Sequence, residues 1–146
     1  MLPRSVVGLF CDDIREEKSG QHSLIGIYSD NINMPSLPSA FPKLAIYIRI
    51  TLDVTDPVKE IALSIVAPGA EEKILATLEE NFIRSAQAES ANKSMPTTTL
   101  ISQIVTSPYV VRDPGMIVLK VLIEGVEYLS ALMNVHHKPR DAGSYL

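Results

Sequence analysis

Residues 44–54 read LAIYIRITLDV. Leu44, Ile46, Ile48, Ile50, Leu52 and Val54 fall on one parity, and Ala45, Tyr47, Arg49, Thr51 and Asp53 on the other. Side chains alternate across a strand, so strict alternation with β-branched residues marks a strand with one buried face. A helix of the same sequence would scatter the six aliphatics around its axis. The reading predicts that residues 44, 46, 48, 50 and 52 are buried together and that the period of the fold is two.

The same period extends outward in both directions. Val6 to about Ile14 reads as a strand and His22 to about Met34 as its partner, joined by the turn residues Lys18-Ser19-Gly20-Gln21. Pro35, Pro38 and Pro42 then break any regular ladder and predict an irregular crossover. EIALSIVAPG is a further strand ended by Pro68-Gly69, and KILATLEENFI suits either a strand or a short helix. Arg84–Pro96 holds no large aliphatic residue except Met95, so it predicts a long loop or mobile insert. TTTLISQIVTSPYVV resumes the strand pattern, RDPG at 112–115 is a turn, and MIVLKVLIEGVEYLSALMNV is a final hairpin around Glu124-Gly125. Residues 138–146 predict a frayed tail. Seven or eight short strands without strand–helix alternation predict a single all-β domain over 1–146, an antiparallel two-sheet β-sandwich, immunoglobulin-like in general layout.

Composition excludes several roles. The chain has 146 residues, 46% hydrophobic and 21% charged, which is enough for one unaided core. A net charge of −4 with no cluster of Lys or Arg argues against nucleic acid or an anionic membrane as partner. A single cysteine excludes an internal disulfide and fits a reducing, cytoplasmic setting. The apolar part of the N-terminus, Val6–Phe10, is too short for a secretion signal. No phosphate-binding loop, dinucleotide fingerprint or hydrolase motif occurs, so no cofactor is expected.

The stretch LFCDDIREEKSGQHSLIGIYSD, followed by a Pro-rich crossover and LAIYIRI, resembles a family of small uncharacterised bacterial proteins, a domain of unknown function. That resemblance covers about a third of the chain and implies no activity. RDPGMIVLKVLIEGVEYL resembles the last hairpin of many immunoglobulin-like sandwiches, a likeness of fold alone.

Three readings compete for function. Asp12, Asp13, Asp30, Asp53 and Asp56 could hold calcium or another metal if one rim collected them, as Ca²⁺ takes six to eight converging oxygens. The bland alternative is a solvated hairpin rim whose ion pairs are worth about 0–1 kcal/mol each. A small hydrolase using Asp and His at that rim is a second alternative, with Cys11 and His22 as the nearest thing to a nucleophile and base. Cys11 shares parity with Val7 and Leu9 and reads more simply as a buried hydrophobe. The third and preferred reading is a non-enzymatic interaction or assembly module, a homo-oligomer or the binder of another protein. It rests on the final hairpin. A three-residue loop of Glu124, Gly125 and Val126 would pair Val121 with Leu129, Leu119 with Ala131 and Ile117 with Met133. Val118, Leu122, Tyr128 and Leu132 would then form a second, outward apolar face, the signature of an interface.

Overall fold

The computed structural model describes residues 1–140. Of the tail predicted at 138–146, residues 141–146 lie outside the described residues. The chain forms β1 (Ser5–Glu16), β2 (His22–Ile27), β3 (Asn31–Met34), β4 (Ser39–Phe41), β5 (Leu44–Asp53), β6 (Glu60–Val66), β7 (Lys73–Glu79), α1 (Glu80–Asn92), β8 (Thr97–Thr106), β9 (Tyr109–Val111), β10 (Gly115–Ile123) and β11 (Val126–His137). A four-stranded sheet runs β2-β1-β5-β8 and a five-stranded sheet runs β3-β11-β10-β6-β7, with β4 and β9 forming a small separate pair. All pairings are antiparallel except β3 on β11, which is parallel.

The two larger sheets face each other across one core. Leu44, Ile46, Ile48, Ile50 and Leu52 are each at most 1% exposed and meet Ile117, Leu119, Val121, Ile123, Met133 and Val135 from the opposite sheet. The even positions of 44–52 are thus buried as the alternation indicates, but the other face is not open throughout: Ala45 and Tyr47 are buried as well, 0% and 7% exposed. Gly8 marks a close approach of the sheets: a Cβ there would lie 2.9 Å from the Leu119 side chain and from Ser130 Oγ. Only glycine lets β1 sit this close to β10 and β11.

Residues 22–34 are two strands rather than one. β2 ends at Ile27, and the chain crosses between sheets over Tyr28–Asp30 to join β11 as β3. Backbone bonds hold both sides of the crossing, from Tyr28 N–H to Phe10 O (2.9 Å) and from Asn134 N–H to Asp30 O (2.7 Å).

The stretch 84–96, expected as a loop or mobile insert, is mostly helix. α1 carries Ile83, fully buried in the core, and Gln87, also buried. Ala86, Ala88 and Ala91 favour helix intrinsically, and Glu80–Arg84 and Glu89–Lys93 form i,i+4 pairs. A count of large aliphatics missed this, because one isoleucine and one amide suffice to dock the helix. No helix among the described residues is long and apolar enough to cross a membrane.

Candidate interaction surface

β1 serves two partners in succession. It pairs with β5 from Ser5 to Cys11 and with β2 from Cys11 to Glu16. Beyond Cys11 it is therefore one leg of a two-stranded arm. The tip of that arm folds across the outward face of the four-stranded sheet. His22 packs edge-on against Tyr47 of β5, with centroids 5.7 Å apart, and hydrogen-bonds Gln103 of β8 at 2.6 Å.

This arm explains Cys11. The residue lies on the outward face, paired with Ile27 and Ala45, yet it is fully buried. It is a buried hydrophobe, as expected, but outside the main core. Burial pushes its thiol pKa up, and its Sγ–H is directed at Asp13 O. In the folded protein Cys11 should react with iodoacetamide at least about 100-fold more slowly than in the urea-unfolded chain. Rapid native alkylation, followed by mass spectrometry, would show that the arm does not stay down.

The candidate acids do not converge. Asp12 accepts a short hydrogen bond from the Tyr28 hydroxyl, and burial together with that bond pushes the Tyr28 pKa up to about 12. Asp13 pairs with Lys43, whose hydrogen bond lowers the carboxyl pKa. Asp53 and Asp56 sit at the far end of β5, eight or more residues beyond Ala45, or about 26 Å at strand rise. They tie down the N-terminal segment: Leu2 N–H donates to Asp53 at 2.9 Å, and Arg4 makes a bidentate pair with Asp56 at 2.7 and 3.0 Å. Asp30 is exposed at the sheet crossing. No group of three metal-ligating side chains occurs among the described residues. Nor does His22 bond Cys11: its ring nitrogen pairs with Gln103, and the Cys11 Sγ–H is directed at Asp13 O.

The terminal hairpin differs from the three-residue expectation. Its loop is the two residues Glu124 and Gly125, both at positive φ (52° and 76°), with Ile123 opposite Val126. Paired strands twist to suit this turn, which requires two left-handed residues. Glu124 accepts that conformation because its carboxylate caps Lys59 N–H and its own N–H reaches Glu60 O. A bulge at Ser130 then restores the expected register, so Leu119 opposes Ala131 and Ile117 opposes Met133.

The bulge also reassigns the outward face. Tyr128 opposes the fully buried Val121 and packs against the core, so it leaves the face shared by Val118, Leu122 and Leu132. Leu129, 59% exposed, takes its place opposite Lys120. Val118, Leu122 and Leu132 are half-buried by their own chain. Lys120 stands among them and pairs with Glu127 (2.8 Å) and Glu72 (3.6 Å), which raise its pKa. This face is therefore apolar at its margins and ionic at its centre.

The other sheet carries a further candidate, away from the terminal hairpin. On its outward face Val7, Arg49 and Ile101 form one cross-strand row, Leu9, Tyr47 and Gln103 the next, and Cys11, Ala45 and Val105 a third. Val7, Ile101 and Val105 are 50%, 38% and 51% exposed, and Ile27 beside Cys11 is 53% exposed. The signal was in β8 itself. TTTLISQIVT places aliphatics on both parities, Leu100 and Ile104 inward and Ile101 and Val105 outward. No curated protein matches the chain. The model of a family of unknown function, DUF6941, matches residues 6–136, and the chain belongs to that family.

Proposed function

We propose that this protein is a non-enzymatic, cytosolic protein-interaction module that binds through the outward face of the four-stranded sheet. The observation that carries this reading is the set of exposed aliphatics on one sheet face, Val7 beside half-buried Leu9 on β1 and Ile101 and Val105 on β8, flanking β5 and its exposed Arg49. Exposed apolar side chains grouped on one sheet face are the mark of an interaction site. Five of the candidates for chemistry are instead engaged in structural bonds: Asp53 and Asp56 with the N-terminal segment, Asp12 with Tyr28, Asp13 with Lys43, and His22 with Gln103. A net charge of −4 suits a protein partner better than a polyanion. The face built by Val118, Leu122 and Leu132 is the second candidate surface, weakened by the ion pairs of Lys120 at its centre.

Affinity capture from the native host tests the reading, with Val7→Glu/Leu9→Glu as the paired bait. Both side chains lie outside the main core, so the variant should keep its circular dichroism spectrum. A protein retained by the unaltered bait and lost by the variant supports the assignment. Identical captured sets with both baits would remove it, and loss only with Leu122→Asp/Leu132→Asp would move the site to the other sheet.

A further inference from the structure

We infer that the protein forms a two-fold dimer in which the free edge of β8 pairs antiparallel with β8 of a second copy, joining two four-stranded sheets into one of eight strands. This deepens the interaction reading and rests on it. Among the described residues the two larger sheets have four outermost strands, β2, β8, β3 and β7, and β1 is also open along Ser5–Leu9, a shorter stretch interrupted by Gly8. Proteins guard edge strands against pairing by keeping them short, bulged or charged. Three of the edges here are guarded. β3 has four residues. β7 carries a register irregularity against β6 and ends in Lys73 and Glu79. β2 has six residues and is interrupted by Gly26 at φ 67°. β8 has none of these devices: it runs ten residues, TTTLISQIVT, with no charge, proline or glycine, and in unbroken register with β5. A long, regular, uncharged edge offers a row of backbone donors and acceptors to another extended chain.

The occupant and its register follow from the side chains. Helix α1 packs on the first residues of β8, where Thr98 donates to Ala86 O (3.2 Å) and accepts from Ser90 (2.8 Å). The later half, Ile101–Thr106, extends past that contact. Its outward side chains read Ile101, Gln103, Val105, an apolar–amide–apolar pattern that is its own complement when reversed. Placing Gln103 on the two-fold axis sets Ile101 against Val105 of the second copy, Gln103 against Gln103, and Val105 against Ile101. A two-fold contact must be self-complementary in this way. Pairing in this register covers two of the exposed aliphatics of each copy and leaves no charge opposite a like charge.

Sedimentation velocity from about 1 to 300 µM tests this, because the monomer–dimer balance shifts with concentration. The unaltered protein should dimerise. Ile101→Lys/Val105→Lys puts lysine opposite lysine twice and should weaken the dimer by about 100-fold or more. Ile101→Lys/Val105→Glu puts opposite charges at the same two places and should restore it. Hydrogen exchange on the unaltered protein supplies an independent reading: backbone amides of residues 101–106 should gain protection as concentration rises. A monomer throughout the range overturns the dimer. So does a dimer that survives the double-lysine change, or one whose β8 amides show no concentration dependence. A monomer that still captures a partner through Val7 and Leu9 overturns this inference alone and leaves the interaction reading standing.

Discussion

Ile83→Ala should lower the unfolding free energy by about 3 kcal/mol in urea denaturation, within the range for deleting a fully buried isoleucine side chain. Ile83 is 0% exposed and joins the core shared by both sheets. Its helix has few other apolar anchors: Phe82, the neighbouring large residue, is 54% exposed. A 13-residue helix is marginal by itself in water, so its order depends on this docking. The loss should therefore combine a core cavity with fraying of α1, visible as reduced helical ellipticity before the main transition. Phe82→Ala should change stability by no more than about 0.5 kcal/mol. A loss below about 1 kcal/mol for Ile83→Ala would mean that the helix is dispensable to the core.

Asp56→Ala should cost about 3 kcal/mol, the lower end of the range for breaking a buried ion pair. Asp56 is 2% exposed and engages the Arg4 guanidinium through both oxygens, while Arg4 retains enough exposure to recover some hydration. The same turn is held from the helix side. The Gln87 amide donates to Asp53 O (3.0 Å) and Asp56 O (2.7 Å), so N-terminal segment, turn and helix form one bonded unit. Asp53 gives this unit a pH signature. Bonds from the Thr55 hydroxyl, Leu2 N–H and Thr55 N–H hold its carboxyl pKa down at about 2. A folded-state value below the unfolded one, about 3.9, contributes stability that is fully present above pH 4 and is lost as pH falls toward 2. Asp53→Asn should flatten the stability profile in that window and leave the profile between pH 5 and 7 unchanged in slope. An unaltered acid limb would assign the acid sensitivity to other carboxylates.

What could be read from the sequence was whatever depends on alternation. Residues 44–52 fixed a buried face because every second position carries a large aliphatic. The acidic hairpin was legible because polar residues and Gly20 separate two apolar runs, and Glu16, Glu17 and Lys18 are exposed as that reading requires. Features set by single residues at special backbone angles were hidden. Glu124 at positive φ gives no sign in a propensity count, so the two-residue turn and the compensating bulge at Ser130 could not be chosen over a three-residue loop. That one choice moved Tyr128 to the core. The candidate surface was hidden for a different reason. Whether Val7, Ile101 and Val105 face solvent depends on which segment covers the outward face, and the reach of His22 to Gln103 is a tertiary fact.

The parallel pairing of β3 with β11 also governs the order in which the molecule can be completed during synthesis. It joins Asn31 to Asn134, positions separated by most of the chain. The four-stranded sheet has all its strands once Thr106 has left the ribosome, whereas the sheet that covers it needs β10 and β11. Translation at about 5–20 residues per second leaves Ile46, Ile48 and Ile50 without their cover for about 2–6 seconds while residues 107–137 are added. Contacts this distant in sequence also close slowly, on a scale of milliseconds to seconds. Until β10 and β11 emerge, the nascent chain therefore holds an aliphatic sheet face with no completed second sheet to bury it, the stage at which aggregation competes with folding.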